Sequence, residues 1–143
     1  MTFSTPALRG FIGMVGLATA LVSCEDKKPP PAALPGRWNL TSQHVTNTDA
    51  TTGQVVADYH RTGTSGDYVA ISASTFEEYS GGQLSFTAPY VKNGNTIIMT
   101  GITPRTDYSR EIKELTSKKL VLSHKLPAIV NNQSVAIEST YSQ

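Results

Sequence analysis

The stretch YVKNGNTIIMTG, residues 90 to 101, decides the fold class. Asn93-Gly94 sits between β-prone residues, and this pair is a strong short-range hairpin signal. The expectation is a type I′ turn, which needs positive φ at both central positions. Ile97 and Met99 then share one face of the returning strand.

The same period of two extends in both directions. In GRWNLTSQHV, from residue 36, Trp38 and Leu40 fall on one face and Arg37, Asn39 and Thr41 on the other. The turn-rich DATTG, 49 to 53, leads to a strand QVVADYH, 54 to 60, which RTGTSGD breaks. YVAISAS, 68 to 74, aligns Val69, Ile71 and Ala73. TFEEYSGGQLSF places Gly81-Gly82 as a hairpin turn between Tyr79 and Leu84. TDYSREIKEL, 106 to 115, alternates Tyr108, Arg110 and Ile112 against Ser109, Glu111 and Lys113. A short helix is the alternative there, but Thr, Tyr and Ile content favours a strand. KKLVLSHKL, 118 to 126, turns Leu120 and Leu122 inward, and QSVAIESTYS, 133 to 142, alternates Val135, Ile137 and Tyr141. About eight short strands with turns between them predict an all-β antiparallel barrel or sandwich.

The N-terminal part reads differently. Residues 1 to 9 carry one charge, Arg9, and GFIGMVGLATALV, 10 to 22, is an unbroken apolar or small run. That order fits a secretory signal, and the run is too short for a comfortable membrane span. The exit Leu21-Val22-Ser23-Cys24 resembles a bacterial lipobox. The resemblance implies cleavage before Cys24, diacylglycerol on its thiol and an acyl chain such as palmitate on the new amine. Cys24 is the single cysteine of the chain, so no internal disulfide can form. Two or more acyl chains hold a protein stably on a membrane. EDKKPPPAA, 25 to 33, then serves as a charged and proline-stiffened tether. The expected organisation is a signal peptide over 1–23, a lipidated cysteine and tether over 24–33, and a barrel domain over 34–143. Glu25-Asp26 resembles a short surface-export signal, so outer-membrane attachment on either the periplasmic or the surface side is open.

The sentence running from LPGRW through GGQLSFTAPYVKNGNTIIMT to YSREIKELTSKKLVLSH resembles the lipocalin-like lipoproteins of Bacteroidota. Gly36-Arg37-Trp38 is similar to the Gly-x-Trp that opens lipocalins, and Tyr90 to Ile97 and Ile112 to Leu122 are similar to later strand pairs of that group. Thr106-Asp107-Tyr108 also matches a lipocalin triplet. The resemblance implies a small up-and-down barrel of about eight strands on a lipid anchor. No late arginine matching the one that packs across the lipocalin tryptophan is identifiable in the last strand. The body is short for a true lipocalin, so the interior is a small cavity or is filled by side chains.

Functional residues follow from that frame. A small hydrophobic ligand would meet Trp38, Leu40, Phe86, Tyr90, Ile97, Met99, Tyr108 and Ile112. Trp38 is a cavity wall or a plug at one barrel end. Together with Ile71, Phe76, Leu122 and Ile137, the same residues are the expected core. His44, His60 and His124 lie in separate segments without metal-ligand spacing, so no metal site is expected. Glu77 and Glu78 are adjacent in a strand and face opposite ways, which argues against paired-carboxylate chemistry. No catalytic set, phosphate loop or cofactor motif is present, so neither an enzyme nor a cofactor is expected. Removing residues 1–23 takes away one basic residue of 12 and none of the 11 acids, which leaves a formally neutral chain. That balance gives no reason to expect nucleic acid. Two functions stay open: a carrier of a small apolar ligand, or a filled barrel that contacts another envelope protein. A void beside Trp38 and Met99 distinguishes the first; close packing there and an exposed apolar patch elsewhere distinguish the second.

Overall fold

A computed structural model describes residues 32–102, 108–126 and 132–143. The signal segment, the lipobox with Cys24, most of the tether, and Thr106-Asp107 lie outside the described residues. The strands are β1 (Gly36–Asp49), β2 (Val55–Thr62), β3 (Tyr68–Ile71), β4 (Thr75–Ser80), β5 (Gln83–Asn93), β6 (Thr96–Met99), β7 (Ser109–Leu115), β8 (Lys119–Leu126) and β9 (Gln133–Ser142). All neighbours are antiparallel, and β1 pairs with β9, so eight strands close into a barrel with β2 as the extra ninth. Closure removes the sheet edges that eight open strands would expose. The fold is therefore the expected antiparallel barrel.

The ninth strand comes from a break. One edge of β1 pairs with β9, and its other edge is shared by β3 at Gly36–Asn39 and β2 at Ser42–Thr48. The second arm of the meander is thus one strand interrupted by residues 63–67. Here the backbone amide of Gly63 donates to the Thr41 carbonyl, and that of Leu40 donates to the Asp67 carbonyl. A Cβ on Gly63 would lie 2.0 Å from the Leu40 carbonyl oxygen, so no larger residue fits this approach. The Asp67 carboxylate ties the excursion down. It accepts from the Thr64 amide and hydroxyl, the Ser80 hydroxyl and the Gly81 amide. The Gly81 amide, first among these bonds, holds the Asp67 carboxyl far below the usual carboxylate range.

Two turns differ from each other in an instructive way. Gly81 and Gly82 both have positive φ, at 57° and 81°, which is the type I′ pattern. At the second hairpin Asn93 pairs with Thr96, so the loop residues are Gly94 and Asn95 rather than Asn93 and Gly94. Only Gly94 has positive φ, 56°, which fits type II′ and corrects the type I′ expectation. Glycine takes the first loop position without a steric cost, and the register follows it. A third difference is at Ala73. β3 ends at Ile71, because the Ser72 hydroxyl accepts from the Ser74 and Thr75 amides and starts a turn.

Strand direction gives the barrel two unlike ends. At one end lie the start of β1, the turns 72–74, 94–95 and 116–118, and the C-terminus. A Cβ on Gly36 would come within 3.0 Å of the Gln143 side chain, so both termini of the barrel meet here. This is where the tether enters, and Leu34 is buried against the core. The other end carries the turns 50–54 and 81–82. The apolar core comprises Trp38, Val69, Ile71, Phe76, Ala88, Tyr90, Ile97, Met99, Ile112, Leu120, Leu122 and Tyr141 with Leu34. No helix among the described residues is long and apolar enough to cross a membrane.

Candidate functional site

Five of the eight expected lining residues sit in the filled part of the barrel. Trp38 and Ile97 are fully buried, and Tyr90, Met99 and Ile112 are buried beside them. The Trp38 indole N–H donates to the Leu34 carbonyl at 2.9 Å, which locks the ring across the tether end. The Tyr90 hydroxyl donates to the Ser72 carbonyl at 2.9 Å. The other three, Leu40, Phe86 and Tyr108, are partly buried and pack against the core. Phe86 and Tyr108 stack with ring centroids 5.4 Å apart. Trp38, Ile97 and Met99 line none of the clefts formed by Leu40 and Arg61, by Leu34 and Tyr90, by Ile71 and Thr75, or by Ser109 and His124.

Above this floor the interior becomes charged. Arg110 on β7 is 4 % exposed. It reaches across the barrel to Glu78 on β4, with Nη2 2.6 Å from Oε1. Its Nη1 lies 2.6 Å from Nδ1 of His124 on β8. Guanidinium can only donate, so this geometry makes Nδ1 an acceptor and His124 a neutral ring. Burial, and then the Arg110 charge, push the His124 pKa down to about 4. The guanidinium also stands over the Phe76 ring at 5.5 Å. Arg110 Nε is buried and has no hydrogen-bond partner among the described residues. A buried unpaired donor is costly, so this atom is where a bound acceptor would gain most.

A recess of about 110 Å³ opens beside this network. Its lining is mostly polar: Leu40 and Val69 are its apolar part, and Arg61, Asp67 and Glu78 bring charge beside Gln43 and Tyr141. The Gln43 amide donates to the Ser139 hydroxyl at 3.0 Å. Burial pushes the Tyr141 phenol up, which keeps it a neutral donor.

The alternation of Tyr108, Arg110 and Ile112 already placed Arg110 in an inward row. The continuation of Leu120 and Leu122 to His124 carried the same signal. Their meeting with Glu78 did not follow from sequence, because Glu78 and Arg110 are 32 residues apart. Glu77 and Glu78 do face opposite ways: Glu77 accepts from the Tyr79 hydroxyl, while Glu78 takes Arg110. His44 and His60, separate in sequence, become cross-strand neighbours on the outer surface.

No family model matches the chain, and no curated protein matches it. Among solved structures the chain is similar to a lipocalin-like protein from Bacteroides uniformis. The identity is 14 %, the TM-score 0.43, and the match covers 77 % of this chain and 97 % of that one. At that identity and score the likeness assigns neither a family nor a ligand to this chain.

Proposed function

We propose that this chain is a lipid-anchored lipoprotein of the bacterial cell envelope whose barrel binds a small, mainly apolar ligand at the end away from the tether. Acyl chains on Cys24 would hold it on the outer membrane, on the periplasmic or the surface side. The observation that carries the binding reading is the unequal filling of the interior. The tether end is packed with aromatic and aliphatic side chains, while Leu40 shares a recess with Arg61 and Glu78, and Phe86, stacked on Tyr108, lies across the strands from Glu78, the partner of Arg110. An apolar body would lie on Leu40, Phe86 and Tyr108, and a polar head would take donors from the arginines. The role is binding rather than catalysis: Glu78 and His124 hold the Arg110 guanidinium, and its unpaired Nε is left for an acceptor on the ligand. The test is native mass spectrometry of the protein made from the whole sequence in a bacterial host and challenged with fatty acids and isoprenoids. A retained or acquired ligand mass, together with an acylated Cys24 peptide, supports the reading. A clean ligand-free mass under every challenge sinks the binding half, and an unmodified Cys24 in a soluble protein sinks the anchor.

Two observations favour a second reading, an interaction module for another envelope protein: the close packing beside Trp38 and Met99, and an exposed apolar face on β2. Among the described residues β2 pairs only with β1, and Val55, Val56 and Tyr59 on it are half or more exposed. An edge strand with exposed apolar side chains is a template for strand addition. Under this reading, crosslinks from residues 55–59 in intact cells would capture one envelope protein in fixed register.

A further inference from the structure

The outer face of the β1–β2 hairpin gathers two imidazoles and a carboxylate. His44 on β1 and His60 on β2 are direct cross-strand partners. Asp58 is two residues before His60, so it shares that face. The rings of His44 and His60 stack with centroids 4.2 Å apart and planes 11° from parallel. His44 Nε2 is 2.5 Å from Asp58 Oδ1. One ligating atom from each of the three residues can be chosen so that all lie within 4.8 Å of one another.

We infer that His44, Asp58 and His60 form a surface site for a late first-row divalent cation of the Zn²⁺ class. The donor set is two nitrogens and one carboxylate oxygen. Imidazole suits Zn²⁺, Co²⁺, Ni²⁺ and Cu²⁺, whereas Mg²⁺ and Ca²⁺ take all-oxygen sets. Bonds of about 2.0–2.1 Å in a tetrahedral site put donors roughly 3.4 Å apart. His44 Nε2 and Asp58 Oδ1 are closer than that and must part, and the stacked rings must turn for their in-plane lone pairs to converge on one ion; the side chains of His44 and Asp58 are 38 % and 54 % exposed, so they are free to do so. Three protein ligands leave one position for water, the arrangement of an open site. The strand pairing fixes the two backbones, so the site is placed by the fold rather than by a loop. Bound metal would also clip the edge strand β2 onto β1.

The test uses protein made from the whole sequence, purified in detergent, stripped with chelator and titrated with Zn²⁺ by calorimetry and with Co²⁺ by absorbance. The expected result is one ion per chain, a tetrahedral Co²⁺ spectrum, and a higher thermal midpoint with Zn²⁺. His44→Asn, His60→Asn and Asp58→Asn each weaken binding by about tenfold or more, and His124→Gln leaves it unchanged. Trp38 emission confirms that each variant is folded. Absence of saturable binding to the wild type overturns the site. So does binding that survives His44→Asn and His60→Asn.

Discussion

Glu78→Gln tests the charged layer of the barrel most sharply. The substitution keeps shape and one acceptor oxygen, but it removes the one carboxylate among the described residues that meets Arg110. The side chain of Arg110 is 5 % exposed, so its charge cannot turn to water in place of Glu78. Stranding one member of a buried pair costs about 3–5 kcal/mol. Glu78 itself is 27 % exposed, and Gln still accepts a hydrogen bond, which puts the expectation at the low end, about 3 kcal/mol. That is roughly a 150-fold change in the folding equilibrium. With a denaturant slope of about 1.5 kcal/mol per molar, the urea midpoint falls by roughly 2 M. Trp38 is the single tryptophan and is fully buried, so its emission reports the transition. A matched control is Lys113→Gln, which breaks the exposed Lys113–Glu111 pair and shifts stability by at most about 0.5 kcal/mol. The double change Glu78→Leu with Arg110→Met should recover most of the loss, because it removes both charges together. A loss below about 1 kcal/mol for Glu78→Gln would refute the reasoning, since that is the scale of a surface pair.

His124 gives a pH signature. Its folded pKa is lowered to about 4 from an ordinary 6.5. Between those values the unfolded chain binds a proton that the folded one refuses, so stability falls as pH drops from about 6.5 to 4. Allowing for partial exposure, the loss is about 2 kcal/mol, read from urea midpoints at both pH values. NMR titration of the ring protons near 6.5 in the native protein would contradict it. Gly63→Ala drives a methyl to 2.0 Å from the Leu40 carbonyl and should cost about 2–3 kcal/mol. A melting point equal to wild type would mean that the 63–67 excursion is not held there. Trp38→Ala opens the closed end of the core and should cost about 3–5 kcal/mol by thermal melting followed with far-UV dichroism.

Strand order and the apolar floor were legible because they depend on local alternation. Trp38, Ile97, Met99 and Ile112 sit in clean period-two runs, and each is buried. Gly81-Gly82 was legible as a turn for the same local reason. What escaped depends on register between distant strands. The Arg110–Glu78–His124 network joins β7, β4 and β8, and a period of two says only that each residue points inward. The shifted loop at Gly94-Asn95 escaped because two adjacent residues, Asn93 and Gly94, both fit a turn. The break between β2 and β3 was legible from its glycines, but that both strands share one edge of β1 escaped, because it rests on the approach of Gly63 to Leu40, 23 residues earlier in the chain. His44 and His60 gave no spacing signal, since their meeting is a cross-strand pair rather than a helical or turn repeat.

The binding claim is most directly tested by site mapping with a photoreactive fatty acid. The protein, made from the whole sequence and held in detergent, is irradiated with the probe, digested, and analysed by peptide mass spectrometry. The account predicts label on the partly buried residues Leu40, Phe86 and Tyr108, with label reduced by excess unmodified fatty acid. Label on Trp38 or Met99, or label that excess fatty acid does not reduce, would contradict it.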